Sequence, residues 1–79
     1  MTNKQKYAKV FIDSFSVDES VLAGDLSYNT ISSWDSIGHM AMIVALEEAF
    51  NIAMETDDII EFSSYNKGFE ILTKYGIEF

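Results

Sequence analysis

The sequence predicts an all-α fold: a small four-helix bundle of three main helices and a short third one, with a long loop between the first two. Three observations carry this reading. Apolar residues recur at helical spacing in separate segments, residue types that cap helices precede those segments, and no convincing pair of strands accompanies them. The 79 residues suffice for one domain, 1–79, with little room for a second core.

The first helix is expected from about Asn3 to Phe15. Thr2 and Gln5 fit a capping box, in which each side chain satisfies a free backbone amide of the first turn. Tyr7, Val10, Phe11 and Phe15 form its apolar stripe, with Lys4, Lys6 and Lys9 mostly off it. From Ser16 to Trp34 runs a long connection, with Val21, Leu22, Leu26, Tyr28, Ile31 and Trp34 as anchors against the helices. Loops of this length are uncommon in compact domains unless functional or packed by their own side chains.

The second main helix is expected from Ser36 to about Phe50. Between Ile37 and Phe50 its polar residues are His39, Glu47 and Glu48 alone. Met42, Ile43, Leu46 and Phe50 make one apolar face, and Ile37, Met40, Ala41 and Val44 make another. Both cannot be central in so small a domain, so the second set reads as an exposed docking ridge beside Glu47 and Glu48. Thr56 is the expected cap of a short helix, with Asp57 and Asp58 in its first turn. Ser64 caps the last helix, Tyr65 to Tyr75, whose stripe is Tyr65, Phe69, Leu72 and Tyr75, with Gly76 as its stop.

The charge distribution excludes whole classes of partner. Net charge is −8, and all five basic residues are lysines near the ends. Between Val10 and Asn66 there is no Lys or Arg, while eleven of the thirteen acidic residues fall there. Nucleic acid needs a basic stripe, which is missing; a basic protein surface is the partner this field would steer. No stretch approaches the roughly 20 apolar residues that cross a bilayer, and the first residues lack a signal-peptide core. The expectation is a cytoplasmic monomer with no membrane partner. With no cysteine, any thiol chemistry must come from elsewhere.

Catalysis is poorly provided for, and the chain is expected not to be an enzyme. His39 is the sole histidine. A Ser36–His39 pair lacks an oriented third group and oxyanion donors, and His39 is expected at an edge beside Ser36, touching whatever Ser36 carries. Glu47 and Glu48 are adjacent and diverge around the helix. Asp57, Asp58 and Glu61 read as a solvated acidic face, and no metal-ligand set is expected. That leaves Asp35-Ser36 at a helix mouth, where free amides and the positive dipole end suit both a cap and an esterified phosphate.

The stretch "DSIGHMAMIVALEEAFNIAMETDDIIEFSS", residues 35 to 64, resembles acyl carrier proteins, the phosphopantetheine-binding carriers. The shared features are Asp-Ser followed by an aliphatic residue, the "ALEEAF" block at 45 to 50, and the acidic stretch before Phe62. The resemblance implies that Ser36 accepts 4′-phosphopantetheine from coenzyme A through a magnesium-dependent phosphopantetheinyl transferase, with Asp35 recognised by that transferase. The arm would carry acyl or aminoacyl groups as thioesters between an acyl-loading ligase or synthase and an accepting transferase, both with basic surfaces. Ile37, Met40, Ala41, Val44, Glu47 and Glu48 would be the docking residues. Leu46 and Phe50 would line any cavity sheltering a chain. Trp34, Gly38, His39 and Ala41 depart from the fatty acid carriers and point to a specialised stand-alone carrier. The alternatives are a housekeeping fatty acid carrier and an unmodified helical interaction module.

Overall fold

The computed structural model describes all residues, 1–79. Five helices follow one another: α1 (Asn3–Phe15), α2 (Glu19–Leu22), α3 (Ser36–Phe50), α4 (Thr56–Glu61) and α5 (Tyr65–Thr73). There is no strand, only an isolated bridge between Ser27 and Ser64. The fold is all-α, and α2 is a single turn inside the expected long loop.

Helix α1 begins with the expected reciprocal cap. Gln5 N donates to Thr2 Oγ1 at 3.1 Å, and Thr2 N donates to Gln5 Oε1 at 2.9 Å. It ends at Ser16, whose φ of 54° puts it in the left-handed region. Tyr7, Phe11 and Phe15 are buried, and Val10 is half-buried. Tyr7 stacks on Tyr65 at 4.7 Å between centroids, Phe11 meets Tyr65 edge-on at 5.0 Å, and Phe15 stacks on Trp34 at 5.0 Å. These aromatics supply much of the area a small core needs. Tyr7 also donates to the Tyr65 carbonyl at 2.8 Å, so its buried hydroxyl is satisfied. Burial pushes the Tyr7 hydroxyl pKa well above its ordinary value.

The α2–α3 connection is fastened to α5. Tyr65 N donates to Leu26 O at 2.7 Å, Tyr28 N to Ser63 O at 2.8 Å, and Asn66 N to Asp25 Oδ1 at 3.0 Å. Leu22, Leu26 and Trp34 anchor it as expected, whereas Val21 and Tyr28 are exposed. At its end, Ser33 Oγ donates to the Phe15 carbonyl, satisfying an orphan acceptor at the end of α1.

Helix α3 has apolar residues around most of its circumference. Met42, Ile43 and Leu46 face α1 and the core, Phe50 is half-buried, and Ile37, Met40, Ala41 and Val44 face outward. Helix α4 differs from expectation at its start. Thr56 is its first helical residue, and Glu55 precedes it without a side-chain cap. Helix α5 is capped by Ser64, whose hydroxyl accepts from Lys67 N at 3.0 Å, and it ends two residues before Tyr75. Ile71 joins Leu72 in the core, and Gly76, at φ 84°, turns the chain.

Candidate functional site

The site is built at the start of α3. Asp35 is the N-cap: its Oδ1 accepts from Gly38 N at 2.8 Å. Ser36 is the first helical residue, so its side chain is released from capping and lies exposed. The amides of Ser36 and Ile37 have no intrahelical acceptor, which leaves the helix end electropositive.

Ser36 Oγ lies 3.2 Å from the hydroxyl of Tyr28. Both residues lie on a groove of about 320 Å³ that His39, Met40, Ile59 and Ile60 complete, so α3 and α4 form its two walls. This groove, rather than a cavity lined by Leu46 and Phe50, adjoins the serine. Leu46 is fully buried in the core, with no exposed surface.

His39 is not at a free edge. Trp34 Nε1 donates to His39 Nδ1 at 2.9 Å, and His39 Nε2 lies 2.8 Å from Ile59 O. An indole N–H can only donate, so Nδ1 accepts; the ring proton is on Nε2 and is donated to Ile59. The half-buried ring thus joins the residue before Asp35 to α4, and its polar atoms are committed within the protein. Trp34 has no exposed surface, so it adds nothing to partner recognition.

Gly38 is likewise structural. A Cβ there would fall 1.9 Å from the Ser33 carbonyl oxygen, so no larger residue fits without moving backbone. Three of the four departures from the fatty acid carriers, Trp34, Gly38 and His39, therefore serve the fold.

The six predicted docking residues divide. Ile37, at 83% exposure, leads Met40, Ala41, Val44 and Glu48 along one exposed face of α3. Spacings of three and four keep them aligned. Ile60, 74% exposed on α4, faces solvent beside the groove and was absent from the sequence-based set. Glu47 differs from the other five in being half-buried, and its Oε2 accepts from Met54 N at 2.8 Å, holding the turn after α3.

The acidic stretch is also only partly solvated. Asp57 and Glu61 are exposed, but Asp58 is buried. Its Oδ1 accepts from Lys74 Nζ and its Oδ2 from Tyr75 Oη, each at 2.5 Å, and Tyr75 Oη accepts from Glu55 N at 2.9 Å. The Lys74 ammonium, then the Tyr75 hydroxyl, holds the Asp58 carboxyl below the ordinary carboxylate range against the opposing effect of burial. The same carboxylate raises the Lys74 and Tyr75 pKa values. The tie fastens α4, and with it one wall of the groove, to the end of α5. No group of three or more His, Cys, Asp or Glu side chains is placed to hold a metal. No helix is long and apolar enough to cross a membrane.

Compared with known proteins, the chain matches no family model, no curated protein and no solved structure.

Proposed function

We propose that this protein is an acyl carrier, loaded with 4′-phosphopantetheine on Ser36 and serving partner enzymes rather than catalysing a reaction itself. The observation that carries the reading is the division of labour at Asp35-Ser36. Asp35 caps α3, leaving the Ser36 hydroxyl exposed at an electropositive helix end and on the rim of an apolar groove. An exposed hydroxyl beside free amides fits an esterified phosphate. When bound, the arm supplies the thiol that the cysteine-free chain lacks, so cargo is held as a thioester.

In loading, the Ser36 oxygen attacks the phosphorus nearer the pantetheine of coenzyme A. The phosphoanhydride bond breaks, 3′,5′-ADP leaves, and the hydroxyl proton passes to a base on the transferase. The exposed Asp35 carboxylate is available to that enzyme, since Gly38 N engages its Oδ1. The order of elements, with a long first helix, a connecting loop, an apolar helix opening on Asp-Ser, a short helix and a last helix, supports a four-helix carrier-type bundle, with α2 as an extra turn.

Partner enzymes would dock on Ile37, Met40, Ala41, Val44, Glu48 and the added Ile60. The acidic surroundings steer basic partners, and the apolar contacts fix register. The small, mostly apolar ridge supports a specialised biosynthetic carrier over a fatty acid one. Of the four departures from the fatty acid carriers, Ala41 lies on this ridge, whereas Trp34, Gly38 and His39 serve the fold.

Intact mass after incubation with coenzyme A, magnesium and a broad-specificity phosphopantetheinyl transferase tests the reading. One added phosphopantetheine in the wild type and none in Ser36→Ala is expected. No gain, with the transferase active on a control carrier, overturns it. The exposed Ile37 and Ile60 would then favour an unmodified protein-interaction module.

A further inference from the structure

We propose that Tyr28 is a positioning residue for the group carried on Ser36, holding its phosphate so that the rest of the arm lies over the groove between α3 and α4. The inference rests on the carrier reading above.

Tyr28 lies eight residues before Ser36, and its hydroxyl has Ser36 Oγ, at 3.2 Å, as its hydrogen-bond partner. Its position is fixed from several sides. The backbone on either side is pinned by bonds from Tyr28 N to Ser63 O at 2.8 Å and from Asn29 N to Trp34 O at 3.0 Å. The ring meets Trp34 edge-on at 6.4 Å and His39 edge-on at 5.6 Å. Those two rings are themselves joined by a hydrogen bond, so Tyr28 rests on a braced support. Two-fifths of the residue is nevertheless exposed, and nothing in the core requires its hydroxyl.

Esterification changes what that hydroxyl can do. Before it, either oxygen can donate to the other. Afterwards Ser36 Oγ is a bridging phosphodiester oxygen without a proton, and charged non-bridging oxygens stand next to it. The Tyr28 O–H becomes the donor to one of these, a charge-assisted bond roughly twice as strong as a neutral one. With the phosphate held between Tyr28 and the start of α3, the arm is directed past Met40 and Ile60. His39 closes the back of the groove, because its Nε2 is bonded to the Ile59 carbonyl. The arm is thereby kept at the surface, where a partner bound to the ridge can reach it.

The test compares wild type with Tyr28→Phe, which removes one exposed oxygen. Both are treated with coenzyme A, magnesium and the transferase, checked by intact mass, and examined by NMR in the apo and loaded forms. Expected are equal mass gains, matching apo spectra and melting temperatures, and wild-type NOEs from the arm's geminal methyls to Met40 and Ile60 that are lost in Tyr28→Phe. The phosphorus resonance should also sharpen in the variant as the phosphate becomes mobile. A purely structural role would alter the apo protein instead. Mass gain with those NOEs absent from wild type, or unchanged in the variant, overturns the role of Tyr28 and leaves the carrier reading standing. No mass gain in wild type overturns both.

Discussion

Trp34 donates its indole N–H to Nδ1 of His39, 2.9 Å away, and so ties the residue before the Asp35-Ser36 pair to the helix that follows it. The bond crosses the corner where the loop becomes α3, and His39 extends it to α4 through Ile59. Replacing His39 with Phe would keep much of the bulk and leave a buried indole donor unpaired. A loss of about 1–3 kcal/mol is expected, the usual range for such an orphaned group. Urea denaturation checks it, and the emission of Trp34, the sole tryptophan, reports on the same corner.

Asp35 combines two duties that substitution can separate. Asp35→Asn keeps a capping oxygen and should retain stability within a few tenths of a kcal/mol, whereas Asp35→Ala should lose about 1 kcal/mol. Both remove the carboxylate, so both should slow transfer of phosphopantetheine to Ser36. Equal loading rates in wild type and Asp35→Asn would remove Asp35 from transferase recognition. Ser36→Ala, with no cap to lose, should change stability by less than about 0.5 kcal/mol.

Gly38→Ala offers a sharper contrast. Helix propensity alone favours alanine by about 1 kcal/mol. The Ser33 carbonyl oxygen, 1.9 Å from where the Cβ would sit, opposes it. Overpacking of this kind costs about 1–3 kcal/mol, so net destabilisation is expected in a thermal or urea melt.

The Asp58 tie predicts a pH window. Asp58 has a lowered folded pKa, so its contribution is complete above the unfolded value of about 3.9 and is lost as pH falls through the folded value. Lys74 and Tyr75 are raised, so theirs are complete below about 10 and are lost as pH rises through the folded values. Asp58→Asn should therefore show a shallower fall in stability on both flanks than wild type. Superimposable pH profiles from denaturant melts would refute this.

The surface of α3 makes the opposite prediction for stability. Met40→Glu and Ile37→Glu alter exposed positions and should change stability by no more than about 0.5 kcal/mol; under the proposed carrier function they should weaken transfer of cargo to partner enzymes. Unaltered transfer rates in both variants would remove the ridge from the docking surface.

The limits of α1 and α3 and the start of α5 were legible in the sequence because their determinants are local. The Thr2–Gln5 box, Ser64 before Lys67, and the spacing of Tyr7, Phe11 and Phe15 act within a turn or two. The split of α3 into an inner and an outer face was legible too, because a small domain cannot bury both. What stayed hidden depends on partners distant in sequence. His39 is fixed by Ile59, 20 residues on, and Asp58 by Lys74, 16 residues on. Glu47 is drawn inward by the amide of Met54. Periodicity places a side chain on a face but does not say which backbone will come to meet it. Trp34 shows the same limit: in the sequence it is both a loop anchor and a departure from the fatty acid carriers, and its contacts with Phe15 and His39 show that it serves the fold.

The close approach of Ser33 to Gly38 has a consequence for how such a protein diversifies. Position 38 is closed to change, and Trp34, His39 and Glu47 are bound into the fold. Positions 37, 40, 41, 44, 48 and 60 carry no comparable obligation. Mutational drift, or a designer, can alter those six while the helix start and its serine stay where they are. On the proposed carrier reading, partner choice would thus evolve on a different schedule from the attachment chemistry.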